Sequence, residues 1–224
     1  MTGGDTHWSG AIAQDVQFGY LTEAAPGPRK YHPRMVLNTT DSQVLRILKE
    51  EIRRCRSFTF SVAFVSPSAL AMLKTDFLEF RGKGRIITSD YLAFNSPQAF
   101  SELMALGKRG MDVRIHKASA FHPKGYIFEH DESVSAMVGS ANLTASALVR
   151  NHEWNLLVSS AKTGDLAVQL RDLIRRQIQE SSPITQEWVD GYAASYLPPP
   201  QRPQPSLPAF SPPEPGLDGE PADD

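Results

Sequence analysis

Strand and helix patterns alternate along residues 36–196, and this alternation restricts the chain to an α/β fold. The clearest strand signal is the run 58–65, Phe-Thr-Phe-Ser-Val-Ala-Phe-Val, which is rich in aromatic and β-branched residues. Just before it, residues 44–52 carry apolar side chains at helical spacing, after a candidate N-cap at Thr40 or Asp41. We therefore predict a mixed β-sheet flanked by helices.

The same rhythm continues to about residue 180. Asn95-Ser96-Pro97 is typical of a helix start, because proline at an early helical position loses no hydrogen bond. His130 to Ser133 has the composition of a turn between two strands. Further strands are predicted at 85–88, 111–116, 123–129, 134–139 and 153–159, and further helices at 68–80 and 165–180.

The two ends of the chain differ from this middle part. Residues 1–35 are rich in glycine, proline and small polar types, and we expect a flexible arm there. Residues 197–224 contain 10 prolines and have five acidic residues against one arginine, a net charge of −4, so the other 196 residues carry +2 of the chain's −2. Such a stretch buries too little apolar surface to fold, and we predict a disordered tail. The predicted domain is 36–196.

Composition excludes several classes of protein. No run approaches the roughly 20 apolar residues that span a bilayer, and no basic-then-apolar leader opens the sequence, so we expect a cytoplasmic protein without membrane contact. Cys55 is the single cysteine, which excludes an internal disulfide and a thiolate zinc cluster. The spacing of His116, His122 and His130 fits no common zinc site, and we predict no metal.

Two short segments carry side chains suited to phosphate chemistry. His122 and Lys124 are two residues apart in or at the entrance of a predicted strand, so their side chains emerge on one face. Ser140 and Asn142 repeat this spacing after Gly139, which lets the backbone approach a ligand closely. An imidazole, an ammonium, a hydroxyl and an amide together suit a phosphodiester, whose transition state spreads charge over equatorial oxygens.

These residues resemble the HxK…GSxN signature of the phospholipase D superfamily. The wider sequence is most similar to the phospholipase D-like domains at the N-termini of DEAD/DEAH-box helicases, although the chain has no GKT or GKS nucleotide loop. The resemblance covers about 36–196. It is carried by residues 61–65, 88–92, 95–97, 121–126, 139–144 and 151–155.

The resemblance implies a metal-independent phosphodiesterase or nuclease with no cofactor. Its chemistry uses two histidines, one as nucleophile and one as general acid, and this chain has one motif, so a homodimer is implied. The implied catalytic residues are His122, Lys124, Ser140, Asn142 and Glu153, the last as an orienting carboxylate. One departure is Glu129, which stands where the family has aspartate; its parity differs from that of His122, so we expect it to face away from the site.

The expected substrate is nucleic acid, DNA rather than RNA, bound by Lys124, Ser140 and Asn142 with Arg114 and Lys117 nearby. Each of these residues also has a structural explanation: Ser140 and Asn142 as turn residues, and the cations as a solvated face. A different function is an inactive DNA-binding or dimerisation module associated with a helicase. Phospholipid hydrolysis is disfavoured, because no apolar membrane-docking helix is evident.

Overall fold

The computed structural model describes residues 31–40, 42–118 and 120–198, which form one eight-stranded sheet with helices on both faces. The α/β prediction with a mixed sheet is confirmed. The strands are β1 (Arg34–Val36), β2 (Ser57–Val62), β3 (Lys83–Thr88), β4 (Asp112–His116), β5 (Lys124–Glu129), β6 (Ser133–Gly139), β7 (Asn155–Ala161) and β8 (Ser181–Pro183).

The strand order is β1-β7-β6-β5-β2-β3-β4-β8. Strands β2, β3 and β4 are parallel, whereas β5 pairs antiparallel with β2, and β6, β7 and β1 continue antiparallel. One edge of the sheet therefore collects the ends of β2, β3, β4 and β6 together with the starts of β5 and β7. We call it the motif edge, because both sequence motifs lie there.

The helices are α1 (Val44–Arg54), α2 (Pro67–Glu79), α3 (Pro97–Gly107), α4 (Ala145–Val149), α5 (Asp165–Gln179) and α6 (Gln186–Ser195). Four of them begin at a Ser or Thr whose side chain accepts from the backbone N–H three residues later, namely Ser66, Ser96, Thr144 and Thr185. Helix α1 begins after Gln43, so the predicted cap at Thr40 or Asp41 is wrong.

The two faces of the sheet are covered unequally. One face packs apolar residues such as Phe60, Ile86 and Tyr126 against α1 to α4 and α6, forming the main core. The other face is covered by α5, which packs on Ile127 and its neighbours Val134 and Ala136. Helix α5 crosses the sheet from β7 to β4 and β8 without covering the whole face, and Val138 and Leu156 remain exposed there.

Several predicted boundaries need correction. Arg34 and Met35, assigned to the N-terminal arm, belong to β1 and pair with β7. The short strand β8 and the helices α4 and α6 have no counterpart in the sequence prediction. Residues 1–30 and 199–224, which include most of the predicted arm and tail, lie outside the described residues.

A buried asparagine joins the ends of β2 and β3 at the motif edge. The Asn95 side-chain oxygen accepts from Val65 N–H at 2.7 Å, and its amide nitrogen donates to the carbonyls of Ala63 and Ser89 at 2.9 and 2.7 Å. The same nitrogen lies 3.2 Å from Thr88 Oγ1. Asn95 is fully buried, so this one side chain satisfies loop groups that water does not reach.

Replacing Asn95 by alanine removes these bonds and leaves buried loop groups without partners. We expect Asn95→Ala to lower the free energy of unfolding by about 2–4 kcal/mol, measured by urea denaturation. The control is Gln98→Ala on the exposed side of α3, for which a change within about 0.5 kcal/mol is expected. Equal stability of the two variants would contradict the anchoring role of Asn95.

Candidate active site

His122 stands exposed at the motif edge, just before β5. Its imidazole contacts two aromatic rings edge-on: the ring centroids lie 5.1 Å from Phe64 and 6.2 Å from Tyr91. The preceding residue, Phe121, is buried and stacks on the buried ring of His116 at 4.4 Å. The buried Phe121 side chain therefore fixes the backbone next to His122, while the His122 ring remains exposed to solvent.

Lys124, the first residue of β5, lies beside His122. Its ammonium donates to His122 Nδ1 at 2.7 Å and lies 3.3 Å from the carbonyl oxygen of His122. Partial burial lowers the pKa of Lys124, and the nearby carboxylate of Glu153 opposes this by raising it. The predicted imidazole–ammonium pair is thus present on one side of the sheet edge.

The segment after β6 packs closely on the start of β7. A Cβ at Gly139 would lie 2.2 Å from the carbonyl oxygen of Trp154, so no larger residue fits without moving β7. Ser140 donates through its hydroxyl to Glu153 Oε2 and accepts from Trp154 N–H at 3.0 Å. Asn151 donates to the other oxygen of Glu153 at 3.1 Å. Buried Glu153 therefore holds Ser140 in place.

Asn142 keeps a free acceptor at the site. Its side-chain oxygen is buried and has no hydrogen-bond partner within the described part of the chain. The residue before it, Ala141, is fixed twice: its N–H donates to buried Asn155 at 3.1 Å, and its carbonyl accepts from buried Tyr126 at 3.0 Å. Burial raises the pKa of Tyr126, so its hydroxyl stays protonated and able to donate.

Strand register brings the two motifs together. Gly125 of β5 pairs with Val138 of β6, so continuing the antiparallel register places Lys124 beside Gly139. The electrostatic effect of Glu153 on both Lys124 and Tyr126 indicates the same proximity. We call this group the half-site; its members are His122, Lys124, Ser140, Asn142 and Glu153.

Three other residues named from the sequence lie apart from the half-site. Arg114, in the middle of β4, donates to Ser181 Oγ at 2.8 Å and to the Ser181 carbonyl at 3.0 Å, which ties β4 to β8. Glu129 ends β5 at the opposite edge and forms an ion pair with Arg171 of α5 at 3.2 Å. Lys117 is exposed just beyond β4, and its role toward substrate stays a prediction.

The sequence analysis missed the residues that support the half-site. Asn95, Tyr126 and Asn155 are polar, buried and bonded to backbone groups of the loops that carry the motifs. Asn95 and Asn155 stand in segments that resemble the family, but residue type alone does not distinguish a buried amide from a turn residue. Phe64 was assigned to a strand, and its contact with His122 arises from tertiary packing.

Residues 48–177 match the family described as "Cardiolipin synthase, PLD-like domain", which is 130 of the 224 residues and includes the whole half-site. The chain belongs to this phospholipase D-like family. No curated protein matches the sequence.

Solved structures agree with this fold. NucT from Helicobacter pylori superposes with a TM-score of 0.52 at 15% identity, covering 68% of this chain and 98% of that one. Nuc from Salmonella typhimurium, a phospholipase D family member, gives 0.52 at 16% identity, covering 69% and 99%. Phosphatidylserine synthase from Haemophilus influenzae gives 0.51 at 15% identity, covering 73% and 45%. These likenesses show a shared fold.

The phospholipase D-like domain leaves an apolar surface next to its half-site. Met35, Leu156 and Val138 are cross-strand neighbours on β1, β7 and β6, and they are 49%, 43% and 52% exposed. Trp154, just before β7, is 74% exposed. We call these four residues the bare apolar face. They lie on the sheet face that carries α5, beyond the part that α5 covers.

The described residues contain no group of three or more His, Cys, Asp or Glu side chains arranged to hold a metal ion. Within the same ranges, no helix is both long enough and apolar enough to cross a bilayer.

Cys55 is buried, and burial raises the pKa of its thiol to about 12.

Removing the charge of Glu153 tests the electrostatics of the half-site. Because this carboxylate raises the pKa of Lys124, we expect Glu153→Gln to lower that pKa further, so that the ammonium loses its proton at lower pH. The change is measured by NMR titration of the lysine side-chain carbons. Glu129→Gln, at the other end of β5, is the matched control and leaves the Lys124 pKa unchanged. A Lys124 pKa that stays constant in Glu153→Gln would show that the carboxylate does not act on it.

Proposed function

We propose that this protein is a phosphodiesterase that hydrolyses nucleic acid, with DNA as the expected substrate, through a site completed by two copies of the chain. The observation that carries the proposal is the half-site. An exposed imidazole and an adjacent ammonium stand next to the Gly139–Asn142 segment at one sheet edge, in a family whose superfamily comprises phosphodiesterases and nucleases.

The reaction follows from the chemistry of the two imidazoles. His122 of one chain attacks phosphorus through a ring nitrogen, and the P–O bond to the leaving group breaks while a P–N bond forms. His122 of the second chain, protonated, gives its proton to the leaving oxygen. Water then attacks phosphorus and yields a proton to the second His122, the P–N bond breaks, and both rings return to their starting states.

Lys124 and Asn142 hold the phosphate, while Ser140 and Glu153 support the loop beside it. The Lys124 ammonium supplies a positive charge next to the attacking ring. This ammonium, which donates to His122 Nδ1 in the structure, can also donate to a phosphate oxygen. Asn142 binds through its amide N–H groups, which can donate to a phosphate oxygen, whereas its side-chain oxygen, unpaired among the described residues, can only accept. Ser140 already donates to Glu153, so its part is to fix the loop rather than to donate to substrate. One chain contains a single His122–Lys124 motif and a single Ser140–Asn142 motif, so the second set comes from a second chain.

The bare apolar face supports pairing of two chains. Contiguous exposed apolar residues on a soluble domain mark an interaction surface, and an exposed tryptophan is a frequent anchor of such surfaces. The face adjoins the half-site through Trp154, whose backbone N–H donates to Ser140. A two-fold contact through this face uses the same residues on both chains and brings the two half-sites toward a common axis.

Loss of the catalytic ring tests the activity directly. The wild type is expected to cleave single- or double-stranded DNA or RNA with EDTA present, and His122→Ala to lower the rate at least about 100-fold, because the nucleophile and the general acid are both lost. Cleavage is followed on labelled oligonucleotides, with His152→Ala, an exposed histidine outside the half-site, as control. Binding without cleavage by both wild type and His122→Ala would favour the inactive DNA-binding module, for which association with a helicase also stays a prediction.

A charge on the bare apolar face tests pairing. We expect Leu156→Asp to make the protein monomeric and inactive while it stays folded, because this side chain is exposed in the single chain. Mass is measured by sedimentation and folding by circular dichroism. The matched control is Leu197→Asp, which changes an exposed leucine outside the face and keeps both mass and activity.

Mixed chains give an independent measure of the shared site. When wild type and His122→Ala are co-expressed in equal amounts, about one quarter of two-fold dimers carry two intact histidines. Activity per total protein then falls to about one quarter of the wild-type value. A fall to one half would mean that each chain acts alone, and would contradict the shared site.

A further inference from the structure

The loop after β3 presents apolar side chains to solvent beside the catalytic ring. Leu92 and Phe94 are 59% and 52% exposed, although both lie within the motif edge, a few residues from fully buried Thr88 and Asn95. Leu92 and Ala93 have positive φ values of 55° and 53°. Two consecutive non-glycine residues in the left-handed region cost free energy, and the fold retains them.

The loop is fixed at both sides rather than loosely attached. Asn95, next to Phe94, is the buried anchor of the β2 and β3 ends, and its carbonyl accepts from the Tyr192 hydroxyl at 2.6 Å. The Phe94 ring packs on Phe64 with centroids 4.8 Å apart. One part of the Phe94 ring contacts Phe64, which fixes the position of the ring, and the other part is exposed to solvent.

This exposed ring is close to the reacting group. Phe64 contacts both Phe94 and His122, with centroid distances of 4.8 and 5.1 Å, so the Phe94 ring lies within about 10 Å of the imidazole. Tyr91 contacts the same imidazole from the loop at 6.2 Å. Successive nucleotides of a stacked strand rise about 3.4 Å, so this distance covers at most about three nucleotides from a phosphate at His122.

We propose that Phe94, supported by Phe64 and Tyr91, is a stacking platform for an unpaired base near the scissile phosphate, so that the enzyme prefers single-stranded nucleic acid. These three rings are called the aromatic wall. This inference rests on the proposed function and adds the substrate class. A base inside a duplex has both faces covered by its neighbours, whereas an unpaired base offers a free face to an aromatic ring.

The position of the aromatic wall fits a substrate surface. It lies on the β2–β3 side of the half-site, whereas the bare apolar face lies on the β6–β7–β1 side. The Lys124 ammonium lies 6.0 Å from the Phe64 centroid, between the wall and the Gly139–Asn142 segment. A strand whose phosphate contacts Lys124 therefore has an aromatic surface available for its base on one side and a protein contact surface on the other.

The test separates binding from cleavage by using His122→Ala as the parent. Phe94→Ala in this parent is expected to weaken binding of a single-stranded oligonucleotide about 5- to 150-fold, the range that corresponds to the loss of one base–aromatic stack. Phe94→Tyr keeps the ring and binds as the parent does. Phe94→Leu keeps an apolar side chain without a ring and weakens binding as Phe94→Ala does. Binding is measured by fluorescence anisotropy at one fixed salt concentration.

A second substrate isolates the base. An oligonucleotide with abasic sites around the scissile phosphate should bind the parent as weakly as the normal oligonucleotide binds Phe94→Ala, with no further loss in that variant. Duplex DNA of the same sequence should bind Phe94→Ala and the parent alike.

Each failure has a distinct signature. Equal binding of single strands by Phe94→Leu and the parent overturns the stacking role, and so does a parent that binds no single strand. Dissociation of Phe94→Ala into monomers, measured by sedimentation, would assign the loop to the chain–chain contact instead. If the otherwise wild-type protein binds single strands through Phe94 but cleaves none, the proposed hydrolysis fails while the base-binding inference stands.

Discussion

The half-site depends on one pairing, the antiparallel insertion of β5 beside the parallel strand β2. Ser57 to Val62 pair with Glu129 to Lys124 in reverse order, so β5 begins where β2 ends. Without this reversal, His122 would lie at the edge opposite the ends of β2 and β3. Because β6 returns antiparallel to β5, the 139–142 segment also ends at that edge. The directions of the strands, rather than any single contact, therefore bring the half-site residues together.

Buried amides hold this edge in shape. Asn95 binds loop groups after β2 and β3, while Asn155 connects the Ala141 N–H to the carbonyl of Val36 on β1. Both amides are buried, and both bond backbone groups that have no ladder partner where the strands end. Among the half-site side chains, the His122 ring and the Asn142 amide form no such bond within the described residues. Ser140 and Glu153 are the exceptions: Ser140 donates to Glu153, which also accepts from Asn151, and both thereby belong to the support.

The half-site separates two surfaces of different chemistry. The aromatic wall follows β2 and β3, and the bare apolar face belongs to β6, β7 and β1. The proposed partner chain and the proposed substrate strand would then approach the same imidazole from different directions. Under the proposed function, a substrate strand and a second chain would each cover one of these two surfaces.

The sequence by itself determined the α/β class, the main strands and helices, and the His122–Lys124 and Ser140–Asn142 pairs, because side-chain periodicity and motif spacing are local properties. It also determined that Glu129 differs in parity from His122, and the structure places it in an ion pair with Arg171. Only tertiary structure decided that Trp154 faces solvent, that Asn95 and Tyr126 support the loops, and that Phe64 contacts the His122 ring. These facts depend on which strands become neighbours and which face a helix covers, and contacts between residues far apart in the chain leave no periodic signal in it.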